Sequence, residues 1–173
     1  MWSLFLPDQC VSSIYEIDIE EMWRQGFRGL IADLDNTLVG TQEPNATPEL
    51  IAWLAKLRER GFQVAIISNN NLRRVRRFAE PLSVPFFYSA GKPRRKAFRL
   101  VLQQFSLSPQ QTLMVGDQLL TDVWGGNRMG MYTVWVAAIS AREGQLTRLN
   151  RRFERWLLSQ MIRRGLWRHE RSR

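Results

Sequence analysis

The sequence predicts an α/β fold in which a parallel sheet is flanked by helices. Short apolar runs of strand length alternate with amphipathic runs at helical spacing, and this alternation is typical of parallel sheets. The 173 residues suffice for one domain, and with 45% hydrophobic residues the chain can bury a substantial core. We expect a brace at residues 1–28 that belongs to the same domain, a core at 29–140 and a basic helical segment at 141–173.

The first core strand is the apolar run at residues 30–34, which suits a strand covered on both faces. Upstream of it, residues 19–25 are predicted to form a short helix that leads into the strand through Gly26. Downstream, the triplet at 47–49 supplies an N-cap threonine, a first-turn proline and an early acid. A helix is therefore predicted from that point to Gly61.

The later elements alternate in the same way. Strands are predicted at residues 64–67, 86–88, 112–115 and 132–136, and helices at 72–79, 94–105 and 121–129. Pro81 limits the helix that begins at Leu72, and Gly130 closes the last of these helices.

Positive charge is concentrated in two parts of the chain. The formal net charge is +9, and residues 142–173 contain ten arginines against three glutamates. A second basic cluster runs through residues 73–77 and 92–99. This charge implies attraction to an anion, which can be a phosphate ester, a nucleic acid or an acidic membrane.

The composition also indicates a compartment. A single cysteine, Cys10, excludes an internal disulfide and is compatible with a reducing cytosol. No apolar run reaches the roughly 18 residues of a membrane span, and residues 1–6 lack the basic start and length of a secretory signal. We expect a cytoplasmic protein, soluble or peripheral on the inner face of the membrane.

Polar side chains gather where the predicted strands end. In open parallel sheets, ligands bind beyond the carboxyl ends of the strands. The residues delivered there are Asp33, Asp35, Ser68, Asn69, Lys92, Asp117 and Asp122. Carboxylates without nearby histidine or cysteine suit a hard ion such as Mg²⁺, whereas a hydroxyl, an amide and an ammonium suit phosphate oxygens.

Each of these residues also has a simpler interpretation. The pair Asp33 and Asp35 lies two residues apart, and such a pair can be a solvated turn as well as a site that invites a cation or a shared proton. Ser68 can cap the following helix, and Lys92 can be one more member of a basic face. Asp122 lies in the first turn of a predicted helix, where an acid is favourable in any case.

Four motifs in order resemble those of the haloacid dehalogenase (HAD) superfamily of phosphotransferases. The matching residues are Asp33-x-Asp35-x-Thr37, Ser68 after a strand, Lys92, and Gly116-Asp117 followed by Asp122. The resemblance implies an HAD-like Rossmannoid fold. It also implies that Asp33 is the nucleophile that forms an aspartyl-phosphate and that Asp35 is the general acid and base.

The same resemblance implies the ligands of the ion and of the phosphoryl group. Mg²⁺ is expected on Asp33, the backbone carbonyl of Asp35 and Asp117, with Asp122 supporting the ion's waters or Lys92. Ser68 and Lys92 are expected to bind the transferring phosphoryl group. Secondary contacts are expected from Asn69, Asn36 and Thr37.

The spacing between motifs bears on the substrate. Only a loop and one helix separate Asp35 from the strand that ends at Ser68, and a single helix and a short strand separate Ser68 from Lys92. No large cap domain is therefore expected over the site. The chain also resembles the YqeG branch of subclass IIIA HAD phosphatases, in runs such as Leu6-Pro7-Asp8, Ser68-Asn69-Asn70 and Gly91-Lys92-Pro93. This branch is similar to the mitochondrial phosphatidylglycerophosphatases, which implies a phospholipid headgroup as the phosphorylated substrate, although a shared fold need not mean a shared substrate.

Two other functions compete with this one. A cytosolic HAD phosphatase of a small metabolite or a phosphoprotein would have the same motifs. A nucleic-acid-binding protein would use the basic clusters, but the sequence contains no recognised nucleic-acid module.

The basic C-terminal segment has its own pattern. In residues 150–167, Phe153, Trp156, Leu157 and Met161 fall at the spacing of one helical face, with arginines mostly opposite. Leu158 and Ile162 interrupt this pattern because they point into the basic side. The segment can therefore lie on an anionic bilayer, or it can pack on its own domain with a solvated arginine face.

Overall fold

The computed structural model describes residues 2–140 and 145–166. The predictions for residues 141–144 and 167–173, including the ends of the basic segment and Trp167, lie outside the described residues. Among the described residues, no helix has the length and apolar character needed to cross a bilayer.

Six parallel strands form one sheet. They are β1 (Gln9–Val11), β2 (Gly29–Ala32), β3 (Gln63–Ile67), β4 (Phe86–Phe87), β5 (Thr112–Gly116) and β6 (Tyr132–Val136), in the spatial order β1-β6-β5-β2-β3-β4. The strand β2 lies inside the sheet, between β3 and β5, and all four of its residues are buried. Its last residue, Ala32, lies opposite Ile66 on β3 and Val115 on β5, so the three strands end side by side.

The helices pack on both faces of this sheet. They are α1 (Ile19–Arg24), α2 (Pro48–Arg60), α3 (Leu72–Ala79), α4 (Arg95–Phe105), α5 (Trp124–Asn127) and α6 (Gln145–Arg163). Because side chains alternate along a strand, Leu30 packs in a cluster with Leu54 of α2, while its neighbour Ile31 packs with Phe98 of α4. The predicted α/β class, with a parallel sheet between helices, is confirmed.

The strand β1 was not predicted. Its three residues lack an apolar run, yet Gln9 and Val11 pair in parallel with Val134 and Val136 of β6 at the edge of the sheet. The carboxylate of Asp8 accepts a hydrogen bond from the backbone N–H of Thr133 at 2.7 Å. The N-terminal segment therefore extends the sheet as well as packing against it.

The helix predicted at residues 121–129 is divided into two pieces. A π-helical turn at Leu119–Val123 precedes the short helix α5. The carbonyl of Gln118 accepts hydrogen bonds from the backbone N–H groups of both Asp122 and Val123. This wider turn places Asp122 beside the end of β5, where a regular helix was expected.

The helix α6 packs on the domain by one face. Leu157 and Met161 are buried against Leu119 and Val123, and Leu158 contacts the same cluster rather than pointing into the basic side as predicted. The predicted apolar face is wrong in one respect: Phe153 and Trp156 are about half exposed and stack on each other, with ring centroids 5.2 Å apart.

Candidate active site

Three carboxylates meet at the carboxyl edge of the sheet. Asp33 follows β2, Asp117 follows β5, and Asp122 comes from the π-helical turn. One oxygen from each lies within 4.8 Å of the others, and all three residues are buried. Asp33 and Asp117 lie close together because their strands are neighbours, and Asp33 N donates to Val115 O at 2.9 Å across these strands.

Lys92 reaches into this group of carboxylates. Its Nζ donates to Asp33 Oδ1 at 2.5 Å and to Asp122 Oδ1 at 2.6 Å, and its side chain is only 2% exposed. Burial by itself would lower the pKa of Lys92, but the charges and hydrogen bonds of Asp122 and Asp33 outweigh it and raise that pKa above its usual range. The lysine is therefore held in its cationic form.

The negative charge of the group exceeds what one lysine neutralises. Burial, followed by repulsion from Asp122 and Asp117, raises the pKa of Asp33 well above its ordinary value, although the charge of Lys92 acts in the opposite direction. Within the part of the chain that the structure describes, no histidine or cysteine joins these three carboxylates. An all-oxygen donor set with excess negative charge fits a hard cation, so the triad could hold a metal ion.

Neighbouring residues support the triad at close range. The hydroxyl of Thr37 lies 3.3 Å from Asp117 Oδ1, to which it donates, and the indole N–H of Trp135 donates to the Asp117 carbonyl at 2.9 Å. At Gly116 an added Cβ would lie only 2.4 Å from the side chain of Asp122. Glycine at this position therefore allows the strand end and the π-helical turn to approach each other.

The side chain of Asp35 lies apart from the triad. Its Oδ1 accepts hydrogen bonds from Nε and Nη2 of Arg74, and its Oδ2 accepts one from Asn70 Nδ2. Sequence reasoning did not identify Arg74 as a site residue and counted it only in the basic cluster at residues 73–77. One signal was available, since Arg74 borders the buried side of α3 formed by Val75 and Phe78.

The loop after β3 contains Ser68 and three asparagines, of which Asn69 and Asn70 contact site residues. Ser68 is buried, and its Oγ accepts a hydrogen bond from Asn70 N at 3.1 Å. The phosphate contact of Asn69 stays a prediction. In the structure, its amide accepts a hydrogen bond from Lys92 N at 2.7 Å and donates one to Lys92 O at 3.2 Å. In the structure, Asn69 therefore positions the lysine.

A buried acidic triad that could hold a metal ion lies with a lysine and a serine at the carboxyl ends of parallel strands. This arrangement is the one expected of an enzyme of phosphate-ester chemistry. Comparison with known proteins agrees with this class. The model of a hydrolase family described as haloacid dehalogenase-like hydrolase matches residues 17–130. The chain belongs to the haloacid dehalogenase-like hydrolases, as a phosphatase of the YqeG branch.

Individual relatives refine this placement. The Bacillus subtilis protein named "Probable phosphatase YqeG" is 47% identical over 161 residues, which cover 93% of this chain and 94% of the relative. The Arabidopsis thaliana phosphatidylglycerophosphate phosphatase 1 is 28% identical over 171 residues; these cover 93% of this chain, which spans about half of the plant protein's length. The predicted family is thus confirmed.

A solved structure shows the same fold. It is the cobalt-bound deoxy-D-mannose-octulosonate 8-phosphate phosphatase of Haemophilus influenzae, with a TM-score of 0.54 and 19% sequence identity. The match covers 65% of this chain and 69% of that one. The expected absence of a large cap is also confirmed. The stretch between Asp35 and Lys92 is fully described, and it contains α2, β3, α3, a 3₁₀ turn at Glu80–Leu82, β4 and connecting loops.

Proposed function

We propose that this phosphatase depends on Mg²⁺, forms an aspartyl-phosphate on Asp33 and removes the headgroup phosphate of phosphatidylglycerophosphate. The observation that carries the chemistry is the buried contact of Asp33 with Lys92 inside the acidic triad. A carboxylate that faces a fixed ammonium is suited to attack a phosphoryl group, because the ammonium binds the phosphoryl oxygens.

The reaction has two steps. In the first, an Oδ atom of Asp33 bonds to phosphorus while the bond from phosphorus to the leaving oxygen breaks, and the carboxylic acid of Asp35 gives its proton to that oxygen. In the second, the Asp35 carboxylate takes a proton from a water molecule whose oxygen attacks phosphorus. The bond between phosphorus and Asp33 then breaks, which releases phosphate and restores the enzyme.

The phosphoryl group is bound from the side of β3 and α4. The Ser68 hydroxyl accepts from Asn70 N and can donate its own proton to a phosphoryl oxygen, and the Lys92 ammonium supplies positive charge. Asn69 contributes by fixing the backbone of Lys92, and Thr37 by its bond to Asp117. Asn69 and Thr37 therefore support the phosphate ligands, and we propose that both also contact the substrate phosphate.

Mg²⁺ would be held by carboxylate oxygens of Asp33 and Asp117, with the backbone carbonyl of Asp35 as a further ligand. When bound, such an ion neutralises charge that develops on the phosphoryl oxygens. Asp122 holds Lys92 at 2.6 Å and accepts from Gln118 N at 3.1 Å, so it supports the site by orienting the lysine.

Metal binding should appear as a change in stability. We expect Mg²⁺ to raise the melting temperature of the wild type, since a ligand at about 100 times its Kd stabilises a protein by about 2.7 kcal/mol. Asp117→Asn should remove this response, whereas Glu59→Gln, an exposed carboxylate on α2, should retain it. The measurement is thermal unfolding with and without Mg²⁺, and an undiminished response in the Asp117 variant would contradict the assignment.

The lipid substrate is supported by the open site and by a relative's name. A site without a large cap can meet a phosphate on a large or surface-bound molecule, and the plant relative is named for phosphatidylglycerophosphate. The deciding experiment compares phosphate release from vesicles containing that lipid with release from soluble phosphate esters. Equal or greater activity on a soluble ester would favour the alternative, a cytosolic phosphatase of a small metabolite or phosphoprotein.

Residues 150–173 are proposed to contact an anionic membrane, which places the protein at the inner face of the cytoplasmic membrane. The outward side of α6 carries exposed arginines, among them Arg152, Arg155 and Arg163, beside the exposed aromatic pair Phe153 and Trp156. Arginine attracts anionic headgroups and tryptophan favours the interface, so this side of α6 matches an acidic bilayer. Glu154, on the opposite side, is buried and accepts from Leu120 N.

Removing the aromatic pair should weaken membrane binding. We expect Phe153→Ser with Trp156→Ser to reduce binding to phosphatidylglycerol vesicles at least about tenfold, because both side chains lose apolar burial in the interface. The matched control is Ile51→Ser, which removes a similarly exposed apolar side chain from α2. Co-sedimentation provides the measurement. Equal binding of both variants would contradict the proposal, and steeply salt-dependent RNA binding would favour a nucleic-acid partner instead.

A further inference from the structure

Arg74 differs from the other arginines of α3. Arg73, Arg76 and Arg77 are exposed, whereas the side chain of Arg74 is only 14% exposed. The helix is fixed at its start by Asn71, whose side chain accepts a hydrogen bond from Arg74 N at 3.0 Å. Arg74 therefore projects from a well-anchored first turn.

The guanidinium of Arg74 holds one oxygen of Asp35 with two donors. Nε lies 3.0 Å and Nη2 lies 2.9 Å from Asp35 Oδ1, and Asn70 Nδ2 lies 3.0 Å from Asp35 Oδ2. Charge-assisted bonds with two donors restrain direction as well as distance. The Asp35 carboxylate is therefore fixed in direction by donors on both of its oxygens.

The same guanidinium also holds the loop that follows Asp35. Nη1 donates to the carbonyl of Glu43 at 2.7 Å, and Nη2 lies 3.3 Å from the carbonyl of Gly40. Arg74 thus joins Asp35 and this loop to the start of α3, which follows the turn that carries Ser68. The position of Asp35 is set relative to the phosphate-binding side of the site.

We propose that Arg74 is the positioning residue of the general acid, so that protonation of the leaving oxygen depends on it. This proposal rests on the function proposed above, in which the proton of Asp35 passes to the leaving oxygen as the bond from phosphorus to that oxygen breaks. A displacement of about 1 Å in a catalytic group can cost about 10²-fold in rate. Arg74 does not touch the reacting atoms and acts only through Asp35.

The test uses two soluble substrates that differ in their need for a general acid. The leaving group of glycerol phosphate departs as an alkoxide unless its oxygen is protonated, whereas the leaving group of p-nitrophenyl phosphate departs as the stable p-nitrophenolate anion. For Arg74→Ala we expect kcat/KM to fall about 10²-fold or more on the alkyl ester and less than about tenfold on the aryl ester, given the size of general-acid contributions. Both values report the first step, in which the leaving group departs.

Two variants control for charge and for folding. Arg73→Ala removes the same charge from an exposed position on the same helix and should leave both substrates unaffected. Arg74→Lys keeps the charge but cannot form the two-donor contact. Its kcat/KM should therefore lie between the values of wild type and Arg74→Ala, with a larger loss on the alkyl ester than on the aryl ester. Should Arg74→Ala fail to fold, as judged by circular dichroism, Arg74→Lys carries the test.

The outcomes separate this proposal from the function on which it rests. Equal losses on the alkyl and aryl esters in a folded Arg74 variant would overturn the positioning role, as would an Arg73→Ala variant that behaves like Arg74→Ala. If the wild type hydrolyses neither ester nor phosphatidylglycerophosphate, it is the proposed function that fails.

Discussion

Asp33→Asn is expected to abolish phosphate release, with a loss of at least about 10⁴-fold in kcat, as for other essential nucleophiles. The neutral amide cannot attack phosphorus to form the covalent intermediate. Acid quenching during turnover of a ³²P-labelled substrate should therefore leave label on the wild-type protein and none on the variant. Substantial turnover by purified Asp33→Asn would contradict the mechanism.

The same substitution should leave the fold intact. Burial and the charges of Asp122 and Asp117 disfavour the ionised form of Asp33, so its neutral replacement relieves repulsion in the metal-free protein. Lys92 keeps its contact with Asp122. The free energy of unfolding without metal is expected to equal or exceed that of the wild type. Glu20→Gln, which removes a carboxylate paired with Arg60 at the surface, is the control for loss of charge alone.

Lys92→Met should also inactivate the enzyme, but its effect on stability should have the opposite sign. Removing one cation that binds the phosphoryl group is expected to lower kcat about 10²- to 10³-fold. The ammonium is buried against two carboxylates, so its loss leaves uncompensated negative charge and should destabilise the fold by about 3–5 kcal/mol. Urea unfolding and steady-state kinetics provide the two measurements.

Lys96→Met is the matched control for Lys92. Lys96 lies in the first turn of α4, four residues after Lys92, and is exposed. Its loss should therefore change the free energy of unfolding by less than about 0.5 kcal/mol. Mg²⁺ should restore part of the stability of Lys92→Met, because the ion then neutralises the carboxylates in place of the lost ammonium. Wild-type stability of Lys92→Met in the absence of metal would show that the lysine is not the neutralising group.

Local features of the chain were predictable because their causes are local. The apolar periodicity of residues 30–34 and 112–115 indicated the strands β2 and β5, and the cap sequence at 47–49 indicated α2. Since parallel strands end at one edge, this was enough to bring Asp33 and Asp117 together. The edge strand β1 was missed because pairing with β6, rather than an apolar pattern of its own, holds it in the sheet.

Contacts between side chains that are distant in sequence were not predictable in this way. Arg74 and Asp35 lie 39 residues apart. The position of Arg74 beside the buried side of α3 indicates that it is partly covered, but only the docked helix shows that Asp35 is its partner. Helix α6 is similar, since the spacing of its apolar residues did not say which of them face the domain. Docking buried Leu157 and Met161 and left Phe153 and Trp156 outside.

The pair Asp33 and Asp35 distinguishes what the sequence determined from what the tertiary structure determined. The sequence by itself determined the strands of the sheet other than β1, the family motifs and the delivery of Asp33, Lys92 and Asp117 to one edge, because strand periodicity and chain order require no knowledge of distant contacts. Only the tertiary structure separated Asp33 from Asp35, placing the first with Lys92 in a buried triad and the second on Arg74. The physical reason is that a carboxylate takes its partner from whichever cation the packed elements bring within hydrogen-bond distance.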